Sequence, residues 1–151
     1  MKIVVDTNII FSLMLNTNGA LGELFFNSDG IFYFYSCEYM RFEISKHWEK
    51  LKRISKLSDV ELEESRFKIF SKINFIHEAL IPQKIWMGAE KLVNDIDIDD
   101  VDFVALRKYL NGILWTGDKQ LYTGLKNKKF KSVYNTLDLA FNVVYLTTLY
   151  K

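Results

Sequence analysis

Lys-Ile-Val-Val-Asp-Thr-Asn-Ile-Ile-Phe, residues 2–11, opens the chain with an apolar run that ends in a carboxylate. The β-branched residues Ile3–Val5 predict a strand that is buried on both faces, as in a parallel sheet. Asp6 stands at the carboxyl tip of this strand, and Thr7 and Asn8 are suited to starting a helix. Ligands of open α/β sheets bind outside the carboxyl ends of the strands. Asp6 is therefore either a ligand-site residue or a simple helix cap.

Composition limits the classes of function. The chain has 151 residues, which predicts one domain over 1–151, and its 49% hydrophobic residues exclude general disorder. A net charge of +1 argues against a polycation that coats nucleic acid. The single cysteine, Cys37, and the two histidines disfavour disulfide and zinc frameworks, whereas nineteen carboxylates leave room for a metal with oxygen ligands. The lack of a signal-peptide or membrane-spanning pattern predicts a cytoplasmic protein.

Apolar runs alternate with helical patterns along the chain, which predicts an α/β fold. A three-layer α/β/α sandwich with a central, mostly parallel sheet is expected. Glu38–Ser55 is predicted to form one long amphipathic helix, and Ser58 with Glu61 has the form of a capping box. The terminal helix is apolar around most of its circumference, which indicates packing in the core or at a protein interface. The predicted strands are Ile3–Val5, Ile31–Tyr35, Phe75–Ile76, Ile113–Thr116 and Ser132–Tyr134.

Four acids occupy comparable places in this predicted fold. Asp6 and Asp118 follow strands, Asp100 precedes a helix, and Glu43 lies early on the helix after the second strand. All four should meet at one edge of a parallel sheet, where they would repel each other unless a cation sat among them. Mg²⁺ or Mn²⁺ is the usual cation for such a set. Each acid also has an ordinary explanation, as a helix cap, a turn residue or a solvated helix face.

The sequence resembles the PIN-domain ribonucleases, and most of all the VapC-like toxins. The resemblance rests on four motifs in the expected order across the whole chain. These are the apolar strand ending in Asp6-Thr7-Asn8, Glu43 on the helix after strand two, Asp100 before a helix that contains Ala105, and Trp115-Thr116-Gly117-Asp118-Lys119.

This resemblance implies Mg²⁺- or Mn²⁺-dependent hydrolysis of RNA phosphodiester bonds. Asp6, Glu43, Asp100 and Asp118 would be the catalytic and metal-binding residues, with Asn8 and Thr116 orienting ligands or waters around them. RNA is the implied substrate, and an antitoxin protein and a second copy of the chain are the partners that the resemblance suggests. The number of metal ions stays open.

Alternatives remain at several positions. The acidic turn holds five aspartates, at 95, 97, 99, 100 and 102, so Asp99 competes with Asp100 as the third ligand, and Glu38 competes with Glu43. The lysines after Glu43 and after Asp118 could bind phosphate, although a solvated surface is the favoured interpretation. A PIN-fold module that binds RNA or protein without cutting is the main rival function. Haloacid-dehalogenase-type phosphatases and receiver domains need acidic pairs after strand one that this chain lacks.

Overall fold

A five-stranded parallel sheet forms the centre of the protein. The computed structural model describes residues 1–149. Its strands are β1 (Lys2–Val5), β2 (Tyr33–Cys37), β3 (Ile73–Ile76), β4 (Ile113–Trp115) and β5 (Val133–Tyr134). Their spatial order is β3-β2-β1-β4-β5, and every adjacent pair is parallel. The predicted α/β/α architecture is confirmed, with β1 in the middle of the sheet.

The helices cover both faces of this sheet. Side chains of consecutive strand residues point to opposite faces, and Ile3, Val4 and Val5 are all fully buried, so each face of β1 is covered. Helix α1 packs with α3, α4 and α5, whereas α7 packs with α6 and against β1, β2 and β4. The helices are α1 (Thr7–Leu15), α2 (Ala20–Phe26), α3 (Tyr39–Lys46), α4 (Trp48–Ser55), α5 (Asp59–Phe70), α6 (Gln83–Val93), α7 (Val101–Leu110), α8 (Lys119–Asn127) and α9 (Thr136–Leu149).

The prediction of one helix over Glu38–Ser55 is wrong. His47 leaves helical geometry, with φ −102° and ψ 17°, and separates α3 from α4. Both helices contact α1, so the break lets the chain turn while each half keeps its apolar side on the core. Ile44 and Leu51, on either side of the break, are buried.

The second strand begins and ends two residues later than predicted. The amides of Ile31 and Phe32 donate to the carbonyl of Ser28 in a turn, so these residues do not join the sheet. Tyr33 pairs with Lys2 as the strand begins, and its side chain is 54% exposed. The prediction that this strand is apolar on both faces is therefore also wrong at its first residue, because Tyr33 lies at the margin of the sheet.

The predicted capping box of α5 is confirmed. Ser58 and Glu61 form a reciprocal capping box with two 3.2 Å hydrogen bonds. The terminal helix leaves a stripe of exposed apolar residues (Leu137, Phe141, Val144, Tyr145 and Leu149), whereas Leu139 is buried. Within residues 1–149, no single helix is both long and apolar enough to cross a membrane; α1 and α2 meet that standard only as a pair, bent by 115°.

Candidate metal centre

Asp6 caps the first helix and is almost completely buried. Its Oδ1 accepts the amide of Ile9 at 3.0 Å, and its Oδ2 accepts the hydroxyl of Thr116. The side chain lies at the carboxyl end of β1, where the adjacent strand β4 also ends. Burial, together with the nearby charge of Asp118, raises the pKa of Asp6 to about 6, against the lowering effect of these hydrogen bonds. The residue is both a helix cap and part of an acidic cluster.

Thr116 links the two acids that follow β1 and β4. Its hydroxyl donates to Asp6 and accepts the backbone amide of Asp118 at 3.0 Å. Asp118 in turn caps α8, because its Oδ1 accepts the amides of Gln120 at 2.8 Å and Leu121 at 3.1 Å. The helix cap uses only one carboxylate oxygen, so it is compatible with a second role for Asp118.

Asp100 carries the most unusual atom of the cluster. Its Oδ2 is buried and has no hydrogen-bond partner, and no other side-chain oxygen or nitrogen atom of residues 1–149 combines these two properties. Burial, together with the charges of Asp6, Asp97, Asp118 and Asp99, raises the pKa of Asp100 to about 7. Asp100 is the residue before α7, yet its side chain makes no capping hydrogen bond. The helix-cap explanation therefore fails for this acid.

Three carboxylates converge at this point. One oxygen each of Asp97, Asp100 and Asp118 lies within 4.8 Å of the other two. Asp97 precedes the short 3₁₀ turn Ile98–Asp100, and its Oδ1 accepts the amide of Asp99 at 3.0 Å. Such hard oxygen ligands suit Mg²⁺ or Mn²⁺, and a buried carboxylate oxygen without a donor needs either a proton or a cation. The residues present therefore fit a divalent metal ion.

Glu43 stands outside this group of three. Its Oε1 accepts the hydroxyl of Thr7 at 3.0 Å. Its pKa is raised mainly by burial, and the charge of Asp99 raises it further, which places it at the rim of the acidic cluster. Asn8 is exposed and lines a cavity together with Thr7 and Glu43. The four predicted acids thus lie at one edge of the sheet, but only Asp100 and Asp118 belong to the tightest group.

Sequence reasoning did not select Asp97 as a ligand. The signal that could have found it is the spacing Asp97-Ile98-Asp99, since an aspartate that caps a tight turn through one oxygen leaves the other oxygen available. The competing aspartate, Asp99, uses its backbone amide in this turn, and its side chain is not one of the three that converge. The geometry therefore favours Asp100 over Asp99.

A second acidic group lies nearby and has a different character. Single ligand atoms of Cys37, Glu78 and Asp102 lie within 4.8 Å of one another. Burial raises the pKa of the Cys37 thiol far above its usual range, so the sulfur stays protonated. Burial also raises the pKa of Asp102 to about 6, helped by Glu78 and Glu43. Glu78 accepts the amide of Tyr39 at 2.6 Å, which gives this group a structural role in joining β2, α3 and the turn after β3.

Comparison with known proteins agrees with this architecture. The PIN domain family model matches residues 4–138. VapBC2 from Rickettsia felis, solved bound to a DNA fragment from their promoter, aligns with a TM-score of 0.65 and 13% identity over 89% of this chain and 98% of that chain. PAE2754 from Pyrobaculum aerophilum aligns with a TM-score of 0.60 and 12% identity over 98% of this chain and 96% of that chain.

No curated protein sequence matches the chain, and at such low identities the two solved structures show a common fold and nothing more. The match to the family model is of another kind, because it runs from β1 to the first turn of α9 and includes each of the acids described above. On this match, the protein belongs to the PIN domain family.

Proposed function

We propose that the protein is an endoribonuclease that uses Mg²⁺ or Mn²⁺ to hydrolyse RNA phosphodiester bonds. PIN domains are usually nucleases, and PIN nucleases generally use divalent metals. The observation that carries the proposal is the buried Oδ2 of Asp100, which has no hydrogen-bond donor among residues 1–149 and lies beside Asp97 and Asp118. A protein that only bound RNA would gain nothing from holding uncompensated carboxylates where phosphate must approach.

Each acid has a distinct part in this proposal. Asp97, Asp100 and Asp118 would hold the ion, and Asp6 would add negative charge and fix Thr116, which holds the backbone of Asp118 in place. When bound, the ion supplies Lewis-acid stabilisation of the charge that develops on the phosphate and makes water more acidic. Glu43, anchored by Thr7 through Oε1, keeps Oε2 to accept a proton from the attacking water. The water oxygen bonds to phosphorus as the bond from phosphorus to the 3′ oxygen breaks. The leaving 3′ oxygen takes a proton from solvent, and Glu43 returns its proton to solvent, which leaves a 5′-phosphate and a 3′-hydroxyl.

The test is cleavage of a mixed RNA pool by the purified protein with Mg²⁺, Mn²⁺ or EDTA. Asp6→Asn and Asp118→Asn should each abolish metal-dependent cutting. Asp29→Asn is the matched control, because this exposed aspartate pairs with Lys72 on another part of the surface and should leave cutting unchanged. Cutting that survives both substitutions would reject the acidic cluster as the active site. No cutting by the wild type, together with no metal binding in calorimetry, would favour the non-catalytic RNA- or protein-binding alternative.

We further propose that the chain acts as the toxin of a toxin–antitoxin pair. The Rickettsia felis structure of the same fold is VapBC2 bound to a DNA fragment from their promoter, and this likeness, together with the match to the PIN domain family, supports the proposal. Induced expression of the wild type in a bacterial host should arrest growth, whereas Asp118→Asn should not. Normal growth at confirmed expression of an RNA-cutting wild type would reject the toxin role and leave the nuclease proposal intact.

A further inference from the structure

A cavity of about 540 Å³ extends from the acidic edge between α1 and the α3–α4 pair. Thr7, Asn8 and Glu43 line the end that adjoins the acids, and Phe11, Leu15 and Ile54 line apolar parts of its wall. Ligand cavities of this size commonly combine apolar walls with a few polar groups that orient the ligand. The cavity is therefore large enough for one nucleotide, and Glu43 belongs both to its lining and to the acidic edge of the sheet.

Two rings form one part of this wall. Phe11 and His47 meet edge to face, with ring centroids 5.6 Å apart and an interplanar angle of 62°. Both side chains are half-buried and line the cavity. Because every nucleobase has a π face, aromatic rings in a groove bind bases by stacking without strict sequence requirements. His47 lies at the break between α3 and α4.

Cations follow along the same side of α4. Lys50 lines the cavity, and Arg53 lies three residues further on, hence on the same face of the helix. Within residues 1–149, neither makes a salt bridge, and both are exposed. Lys52, on the other side of α4, is paired with Asp59 at 3.0 Å. The α4 cation that lines the cavity, Lys50, is thus free of a salt bridge among the described residues, whereas the paired Lys52 does not line it.

The second basic cluster, formed by Lys126, Lys128, Lys129 and Lys131, lies elsewhere. It begins in the last turn of α8, so about 12 Å along the helix axis separates it from Asp118 at the start of the helix. Lys131 precedes β5 and therefore lies at the opposite edge of the parallel sheet from the acids. Lys128 is already engaged by the carbonyl of Leu92 and the carboxylate of Asp95. Of the two basic clusters, only the one on α4 adjoins the candidate active site.

We propose that this cavity holds the nucleotide next to the cleaved phosphodiester, with its base against Phe11 and His47 and its outer phosphate at Lys50. The inference rests on the proposed nuclease function and adds to it the direction in which a bound single-stranded RNA runs from the acidic cluster, along the cavity between α1 and α4. It identifies Phe11 and His47 as a stacking surface that gives a modest base preference at one position through differences in stacking strength, and Lys50 as a phosphate contact that positions the strand.

RNA binding tests the phosphate contact separately from the chemistry. Fluorescence anisotropy with a labelled ten-nucleotide single-stranded RNA in Mg²⁺ would compare Lys50→Ala and Lys52→Ala, each in an Asp6→Asn background that does not cut. Lys50→Ala should weaken binding and lower the slope of log affinity against log salt by about one. Lys52→Ala, the same change on the same helix, should leave both values as in the parent. Equal behaviour of the two variants would overturn the phosphate contact.

Cleavage-site sequencing tests the base contact. Phe11→Leu keeps apolar volume at a half-buried position, so the variant should fold, but it removes the ring. On a randomised RNA pool it should change the base frequencies at one position beside the cut and reduce RNA affinity by about fivefold or more. Base frequencies and affinity equal to those of the wild type, in a variant with native circular dichroism, would overturn the base contact.

The outcomes also separate this inference from the proposed function. If the wild type cuts RNA and both Lys50→Ala and Phe11→Leu behave like it, the cavity is not a nucleotide site and the nuclease stands. If the wild type cuts nothing while Lys50→Ala still weakens binding relative to Lys52→Ala, the nuclease proposal fails and the cavity is an RNA site of a non-catalytic protein.

Discussion

At the scale of single residues, Asp100 has a buried carboxylate oxygen without a hydrogen-bond donor, and a bound metal ion would compensate its negative charge. Replacing it with Asn removes the charge, and the new amide can donate to the facing carboxylates of Asp97 and Asp118. In EDTA, Asp100→Asn should therefore raise the free energy of unfolding by about 1–3 kcal/mol, as measured by urea denaturation. Adding Mg²⁺ should raise the free energy of unfolding of the wild type but not that of Asp100→Asn. Asp99→Asn, at an exposed position and with only a small effect on Asp100, should change both values much less. A destabilised Asp100→Asn in EDTA would contradict this account.

The same acids predict how stability depends on pH. In the folded protein the pKa values of Asp6 and Asp100 are about 6 and about 7, above the usual 3.8 of aspartate. Between these pH values the metal-free folded protein keeps protons that the unfolded chain has released. Protonation of Asp6 and Asp100 therefore stabilises the fold fully below the unfolded pKa, and this stabilisation is lost as pH rises through 6 and 7. Mg²⁺ competes with these protons, so the rise in Tm on adding Mg²⁺ should grow from about pH 5 to about pH 8. A rise in Tm that is independent of pH would mean that the ion binds elsewhere.

Among the elements, helix α2 is held against the preceding loop by a glycine. A Cβ built on Gly22 would lie 1.8 Å from the carbonyl oxygen of Thr17, a backbone atom that cannot move without the loop. Gly22→Ala should lower the free energy of unfolding by about 1–3 kcal/mol. Gly88→Ala in α6 is the control, because its Cβ would meet only the mobile ammonium end of Lys108 at 2.9 Å. That change should stabilise the helix by about 0.5–1 kcal/mol, and equal effects of the two substitutions would contradict the close approach at Gly22.

Local patterns predicted those elements whose signals lie within a few residues. The capping box at Ser58 needed no information from the rest of the chain. The break at His47 was not predictable in this way, because an unbroken amphipathic period runs through it and the turn follows from contacts of both halves with α1. The first residue of β2 could not be predicted for a similar reason, because it is set by the pairing of Tyr33 with Lys2, a contact between residues distant in sequence.

In the whole molecule, the parallel sheet explains why distant acids could be placed together from sequence. Asp6 and Asp118 follow β1 and β4, which are neighbours in the sheet, so the alternation of strands and helices was sufficient to bring them to one edge. The turn at residues 95–100 lies outside the sheet, and its aspartates could not be ranked by strand order. Its 3₁₀ geometry selects Asp97 and Asp100, and this geometry depends on packing against α6 and α7.

Trp115 tests whether the stability of the core and the binding of a metal ion at the candidate metal centre are independent of each other. The side chain is fully buried, pairs with Val5 across the sheet and donates its indole N–H to the hydroxyl of Thr136 at 3.2 Å. Trp115→Phe removes volume and this hydrogen bond, so the free energy of unfolding should fall by about 2–4 kcal/mol. The further stabilisation by Mg²⁺ should be unchanged, because it depends only on the affinity of the folded state for the ion. Urea denaturation with and without Mg²⁺ measures both quantities; loss of the Mg²⁺ effect in Trp115→Phe would mean that the core residue holds Thr116 and Asp118 in their ligand positions.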